Sequence, residues 1–125
     1  MVKSIYSILI AIALLTFAGI GEQVYIRKTF TSLNKDFNLA YEKILSEEIT
    51  VDDANAIKSA WLNKKKLLHL FISHNDVKEL DLWIFETVAY VRTENYKEAI
   101  SKIEVAINLT EQIPKNYLIR FENLL

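Results

Sequence analysis

The sequence predicts an all-α protein, an N-terminal transmembrane helix followed by a small antiparallel helical bundle. Three observations carry that expectation. Both glycines, Gly19 and Gly21, precede residue 22, and the only proline is Pro114. The chain from Glu22 to Ile113 therefore lacks the residues that the tight turns of a sheet demand. Ser4–Gly21, SIYSILIAIALLTFAGIG, is an uncharged 18-residue run. Beyond it, apolar residues recur at intervals of three and four in four successive segments, the period of a helix with one buried face.

Length and composition set the bounds. The 125 residues, 51% apolar and 25% charged, suit one small domain, divided as a membrane anchor or signal peptide over 1–23 and a helical bundle over 24–125. A net charge of −1 lacks the basic bias of a protein that neutralises several phosphates, so no nucleic-acid partner is expected. Cysteine is absent, which excludes disulfide scaffolds, thiolate metal sites, thiol nucleophiles and a lipoprotein anchor. Without glycines past residue 21 there is neither a phosphate-cradling loop nor a dinucleotide fingerprint.

The first element is the apolar run. At about 1.5 Å per residue it comes close to spanning the hydrocarbon core of a bilayer. It exceeds the usual signal-peptide core of roughly 7 to 15 residues, and its small-residue pairs, Thr16 with Ala18 and Gly19 with Gly21, match a cleavage site weakly. An uncleaved anchor in contact with lipid through residues 4–21 is the expectation. A soluble core helix would need a polar face, and this segment has none. Counting Lys and Arg near each end sets Lys3 against Arg27, Lys28 and Lys35, which favours a cytoplasmic C-terminus. The α-amine beside Lys3 and the acid Glu22 at the far edge argue the other way.

The next helix is expected over about Val24–Leu45, with Phe30, Leu33, Phe37, Ala40 and Ile44 on its inner face, in continuation of the membrane helix. Thr50 with Asp53 forms a capping pair before a second helix carrying Ile57, Trp61, Leu68 and Phe71. Asp76 with Glu79 repeats that signal before a third, with Val77, Leu80, Ile84, Val88 and Val91 inward. Asn95 with Glu98 opens a fourth through Ala99, Ile103, Ala106, Thr110 and Ile113. Pro114 is expected to end that run, leaving Leu118, Phe121, Leu124 and Leu125 for a short closing helix.

The candidate chemistry is concentrated in HLFISHNDVKELD, residues 69–81. His69 and His74 are five apart, about 140° around a continuous helix, whereas a helical zinc pair needs histidines at i and i+4 with a third ligand. A di-iron bundle needs Glu-x-x-His on two helices. Neither spacing occurs. Asp76, Glu79 and Asp81 have a simpler explanation as acids stabilising the positive end of a helix, and His74 as a corner residue hydrogen-bonded in the turn. Lys64, Lys65 and Lys66 read as a solvated helix face. Asn108-Leu109-Thr110 matches a glycosylation acceptor inside a predicted helix. Trp61, Trp83, Tyr90 and Tyr96 read as core, and no Ser, His and acid are spaced to argue a nucleophile triad.

Two resemblances add to this reading. WIFETVAYVRTENYKEAISKIEVAINL, Trp83–Leu109, resembles a tetratricopeptide helical hairpin, with Trp83, Tyr90, Ala99 and Ala106 at its aromatic and small positions and Ile103 at its large apolar one. It departs where Glu86 and Thr87 replace a leucine and a small residue, where Glu94 replaces a turn glycine, and where Pro114 falls three residues late. No second copy is visible, so the fold expectation becomes a bundle with one tetratricopeptide-like hairpin. The whole layout, a short charged start, one apolar span, Trp61 with Lys64 and Lys65, LFISHNDVKELD and the apolar finish Asn123-Leu124-Leu125, resembles the small single-span "domain of unknown function" proteins of endospore-forming Gram-positive bacteria. That resemblance covers nearly the full chain. It implies a membrane-anchored helical domain outside the cytoplasmic membrane, and no known activity, ligand or catalytic residue.

The functional expectation is a non-enzymatic interaction or accessory module at the cell membrane, acting through a membrane-protein partner or self-association. It has no catalytic, cofactor or metal residue to nominate, and its structural landmarks are Trp61, His74, Asp76 and Trp83. The alternative is a small ligand or metal sensor around His74 with Asp76, Glu79 or Asp81, and a hydrolase ranks third.

Overall fold

The computed structural model describes residues 2–124, with side chains through Ile119. Four helices follow one another, α1 (Val2–Leu45), α2 (Val51–Leu68), α3 (His74–Arg92) and α4 (Tyr96–Leu124), and there is no strand among the described residues. Each helix packs on its sequence neighbours and α4 closes back onto α1, so the four form an up-and-down ring. Short connections force adjacent helices antiparallel. Pairs along the α1–α2 seam show how regular that is: Lys43 meets Asp53 at 3.4 Å, Lys64 donates to Ser32 at 2.8 Å, and Tyr25 meets Phe71 at 5.4 Å between ring centroids. Moving back from 43 to 32 to 25 on α1 matches moving forward from 53 to 64 to 71.

The expected inner faces are the observed ones. Phe30, Leu33, Phe37, Ala40 and Ile44 of α1 are buried, as are Val77, Leu80, Ile84, Val88 and Val91 of α3 and Ala99, Ile103, Ala106, Thr110 and Ile113 of α4. On α2 the buried set is Ala54, Trp61 and Leu68, with Ile57 partly buried against the core; α2 ends at Leu68, so Phe71, expected on this helix, lies in the turn after it, partly buried against the same core. Thr87, where a tetratricopeptide hairpin would carry a small residue, is buried and donates its hydroxyl to the Trp83 carbonyl at 2.7 Å, which removes the cost of burying it.

Helix starts follow local signals, one of them shifted. Thr50 and Asp53 form a reciprocal capping box, with Asp53 N–H donating to Thr50 Oγ1 at 3.0 Å and Thr50 N–H to the Asp53 carboxylate at 3.1 Å. Glu98 N–H donates to Asn95 Oδ1 at 3.4 Å. The third start lies three residues before the expected Asp76: Ser73 is the cap, accepting from Asp76 N–H at 3.2 Å. Ser-x-x-Asp is itself a capping pattern, so the signal was present one turn earlier.

The ends of α1 and α3 are less ordinary. Glu47 and Glu94 adopt the left-handed conformation, with φ of 58° and 56°. In both places the chain folds back in a Schellman closure: Glu48 N–H donates to Lys43 O and Glu47 N–H to Ile44 O, while Asn95 N–H donates to Tyr90 O and Glu94 N–H to Val91 O. Satisfying two orphan carbonyls at each end offsets the penalty a non-glycine residue meets there.

Pro114 does not end the fourth helix, which continues through it to Leu124. The expected closing helix is thus the last part of α4, and Leu125 lies outside the described residues. Proline removes one N–H and costs about 3 kcal/mol in a helix interior, so tertiary contacts on both sides must outweigh it. They are present: Ile113 is buried, Thr110 Oγ1 accepts from Asn34 at 2.9 Å, and Tyr117 is held by α1 and by the start of α3.

The α2 cap yields a first test. Thr50→Ala should lower stability by about 0.5 to 2 kcal/mol, read by chemical denaturation in detergent micelles. The Thr50 backbone N–H holds the Asp53 carboxyl below its ordinary 3.8. A lowered folded-state pKa means the unfolded chain binds the proton more tightly. The stabilisation is therefore complete above the ordinary carboxylate range and fades as pH falls through the lowered value. Asp53→Asn should make the melting temperature less sensitive to pH between about pH 2 and 5.

Candidate functional site

The residues of HLFISHNDVKELD disperse into separate structural tasks. His74 is the first residue of α3, not a hydrogen-bonded corner residue, and it is exposed. Its ring faces that of His69 at 6.1 Å between centroids. The helix break thus brings together two histidines that a continuous helix would have separated. Among the described residues no group of three or more His, Asp or Glu side chains converges as metal ligands do. Asp76 alone of the three acids lies in the first turn, and Tyr117 lies over it. The Tyr117 hydroxyl accepts from Ser73 N–H and donates to the Asp76 carboxylate at 3.4 Å. One phenol from the far end of α4 thereby completes the α3 cap.

Asp81 is a clamp rather than a helix-start charge. Its Oδ1 accepts from Trp61 Nε1 at 2.7 Å and its Oδ2 from Lys65 Nζ at 2.7 Å, tying α2 to α3 with two charge-assisted bonds. Trp61 is fully buried, and an indole N–H taken from water needs such an acceptor. Glu79 serves Trp83, whose Nε1 donates to it at 2.9 Å. Trp83 is half-buried, with Lys102 Nζ at 5.2 Å from its ring centroid. The lysine run also divides: Lys64 reaches Ser32 and Asp36 on α1, Lys65 reaches Asp81, and Lys66 stays exposed. Its expectation as a solvated face holds for Lys66 only.

An open groove of about 290 Å³ runs between α1 and α2 over Leu39, Ala40, Ile49, Ile57 and Ala60. Its polar rim is internally paired, Lys43 with Asp53 and Asp36 with Lys64 at 3.7 Å. Such a lining offers apolar contact and no unpaired acid or base poised for proton transfer.

The most distinctive surface is the first half of α1. One 18-residue window of that helix is apolar enough to cross a membrane and none of it is buried in the bundle; Leu15 and Phe17 are 74% and 73% exposed. The first buried side chain is Ile26, and the helix runs unbroken from its apolar half into the bundle. Two contacts mark the end of the bundle nearest that apolar half. Tyr25 meets Phe71 of the α2–α3 corner, and Gln23 Nε2 donates to the Tyr117 carbonyl of α4 at 3.5 Å. Sequence reasoning missed Gln23, Tyr25 and Tyr117, because nothing local marks them.

Tyr117 and His74 give contrasting tests. Tyr117→Phe leaves Ser73 N–H without its acceptor and should cost about 1 to 3 kcal/mol. His74→Gln, on an exposed side chain without a hydrogen bond, should change stability by less than about 0.5 kcal/mol. Denaturation of the full chain in micelles measures both, and calorimetric titration of Zn²⁺ into wild type and His74→Gln should give the same featureless trace. Binding that His74→Gln abolished would restore the sensor reading.

A family model described as a domain of unknown function, DUF4363, matches residues 21–124. The match begins where the apolar run ends. No curated protein and no solved structure matches the chain.

Proposed function

Since the chain belongs to the DUF4363 family, a domain of unknown function, its role has to be read from its own geometry, and we propose a membrane-anchored, non-enzymatic interaction or accessory module. The single observation behind this is the apolar half of α1, which projects from the bundle with no part of its most apolar window covered. In water so large an apolar surface is unfavourable, and a bilayer removes it. Tyr25, four residues past Gly21, supplies an aromatic residue at headgroup depth.

The bundle then stands as a rigid head on the anchor, outside the cytoplasmic membrane, where it meets another membrane protein or a second copy. Its titratable groups favour a non-enzymatic role, because Asp76, Asp81 and Lys65 are each engaged in holding helices together and Glu79 is bonded to Trp83 within α3. Cell fractionation with a C-terminal tag tests the anchor: full-length protein should remain in membranes after carbonate washing. A shortened product in the medium would overturn it. Protease added to intact cells should degrade the bundle if it lies outside, and leave it untouched otherwise.

A further inference from the structure

We propose that the end of the bundle nearest the span is an interfacial membrane-binding surface, with Leu70 at the α2–α3 corner seated among the lipid headgroups and Ile119 on α4 at their boundary with the acyl chains. This rests on the anchor reading above. Because α1 is continuous from Val2 to Leu45, no linker lets the bundle swing away from the bilayer. Tyr25 lies four residues beyond Gly21, about 6 Å along the helix, and the headgroup zone is about 5 to 8 Å deep on each side. Phe71 touches Tyr25, so the corner is held at that depth. There Leu70 is 72% exposed.

The fourth helix adds a second point of contact. Its Tyr117 carbonyl is bonded to Gln23, and α4 runs antiparallel to α1, so the seven residues from Leu118 to Leu124 continue about 10 Å towards the bilayer. Ile119, 54% exposed, lies on that extension. Exposed Arg27 and Lys115 flank this end and exposed Lys66 lies in the last turn of α2 before the corner, while of the nearby acids Glu22 is partly buried, Asp76 accepts from Tyr117 and Glu122 lies in the last turns of α4. Leucine and isoleucine dipping below a ring of cations is the arrangement that binds an anionic interface. Solitary exposed leucines are common on proteins; these two differ in being fixed at lipid depth.

The absence of cysteine makes the test direct. Leu70→Cys, Ile119→Cys and Leu45→Cys are each labelled with an environment-sensitive nitrobenzoxadiazole probe, in the full chain reconstituted into phosphatidylcholine–phosphatidylglycerol vesicles. Leu45 is 55% exposed and 24 residues beyond Gly21, about 36 Å from the bilayer edge. Probes at 70 and 119 should be blue-shifted, lose quenching by aqueous iodide, and be quenched by shallow spin-labelled lipids, whereas the probe at 45 should show the opposite. Leu67→Cys replaces Leu70→Cys if the latter lowers helicity. Equal iodide access at all positions in protein that floats with the vesicles would overturn this inference alone. Failure of the full chain to float with vesicles would overturn the anchor reading, and this inference with it.

Discussion

Trp61→Ala should cost about 3 to 5 kcal/mol of bundle stability, the largest loss expected from any single change on α2. The indole is fully buried, so truncation opens a cavity that the flanking helices fill only in part. It also removes a donor from Asp81, leaving Lys65 as that carboxylate's remaining partner. Trp61→Phe separates the two contributions: it keeps most of the ring and loses the bond to the carboxylate, for which about 1.5 to 3 kcal/mol is expected. Chemical denaturation of the full chain in micelles measures both variants. A melting curve unchanged in Trp61→Ala would mean that the ring does not support the α2–α3 seam. Membrane fractionation should be the same as wild type at temperatures where the variant is folded.

The converse pattern is expected for Ile12→Lys combined with Leu14→Lys. Both positions are near the middle of the Ser4–Gly21 run and are exposed, touching nothing in the bundle. Two lysines at the centre of a spanning helix should cost roughly 5 to 7 kcal/mol of insertion. The double variant should therefore leave the membrane fraction, while its bundle unfolds at the denaturant concentration of wild type. Retention of the variant in carbonate-washed membranes would show that residues 4–21 are not what holds the protein there. Together the two experiments separate the proposed anchor from the packing that holds the bundle together.

The helical class, the four buried stripes and the α2 cap were legible in the linear sequence because each is a local property. A stripe such as Phe30, Leu33, Phe37, Ala40 and Ile44 depends only on spacing within one helix, and Thr50 finds Asp53 three residues away. Residues with partners far along the chain behaved differently. Asp81 resembles a helix-start charge until Trp61 and Lys65 come to it from α2. Asp76 resembles a cap until Ser73 takes that place and Tyr117 arrives from α4. His69 and His74 seem separated until the break at the corner turns their rings together. Pro114 stops a helix considered alone, yet α4 passes through it because Ile113, Thr110 and Tyr117 are held on either side. Glu47 and Glu94 carry no glycine signal, and their left-handed turns form because closing the helix ends satisfies carbonyls that would otherwise lack donors. Spacing and capping are energies of neighbouring residues, so they can be read in sequence order. The end of the bundle next to the apolar half of α1, where Gln23, Tyr25, Phe71 and Tyr117 meet, comes from contacts 46 to 94 residues apart, which exist only once the four helices have closed their ring.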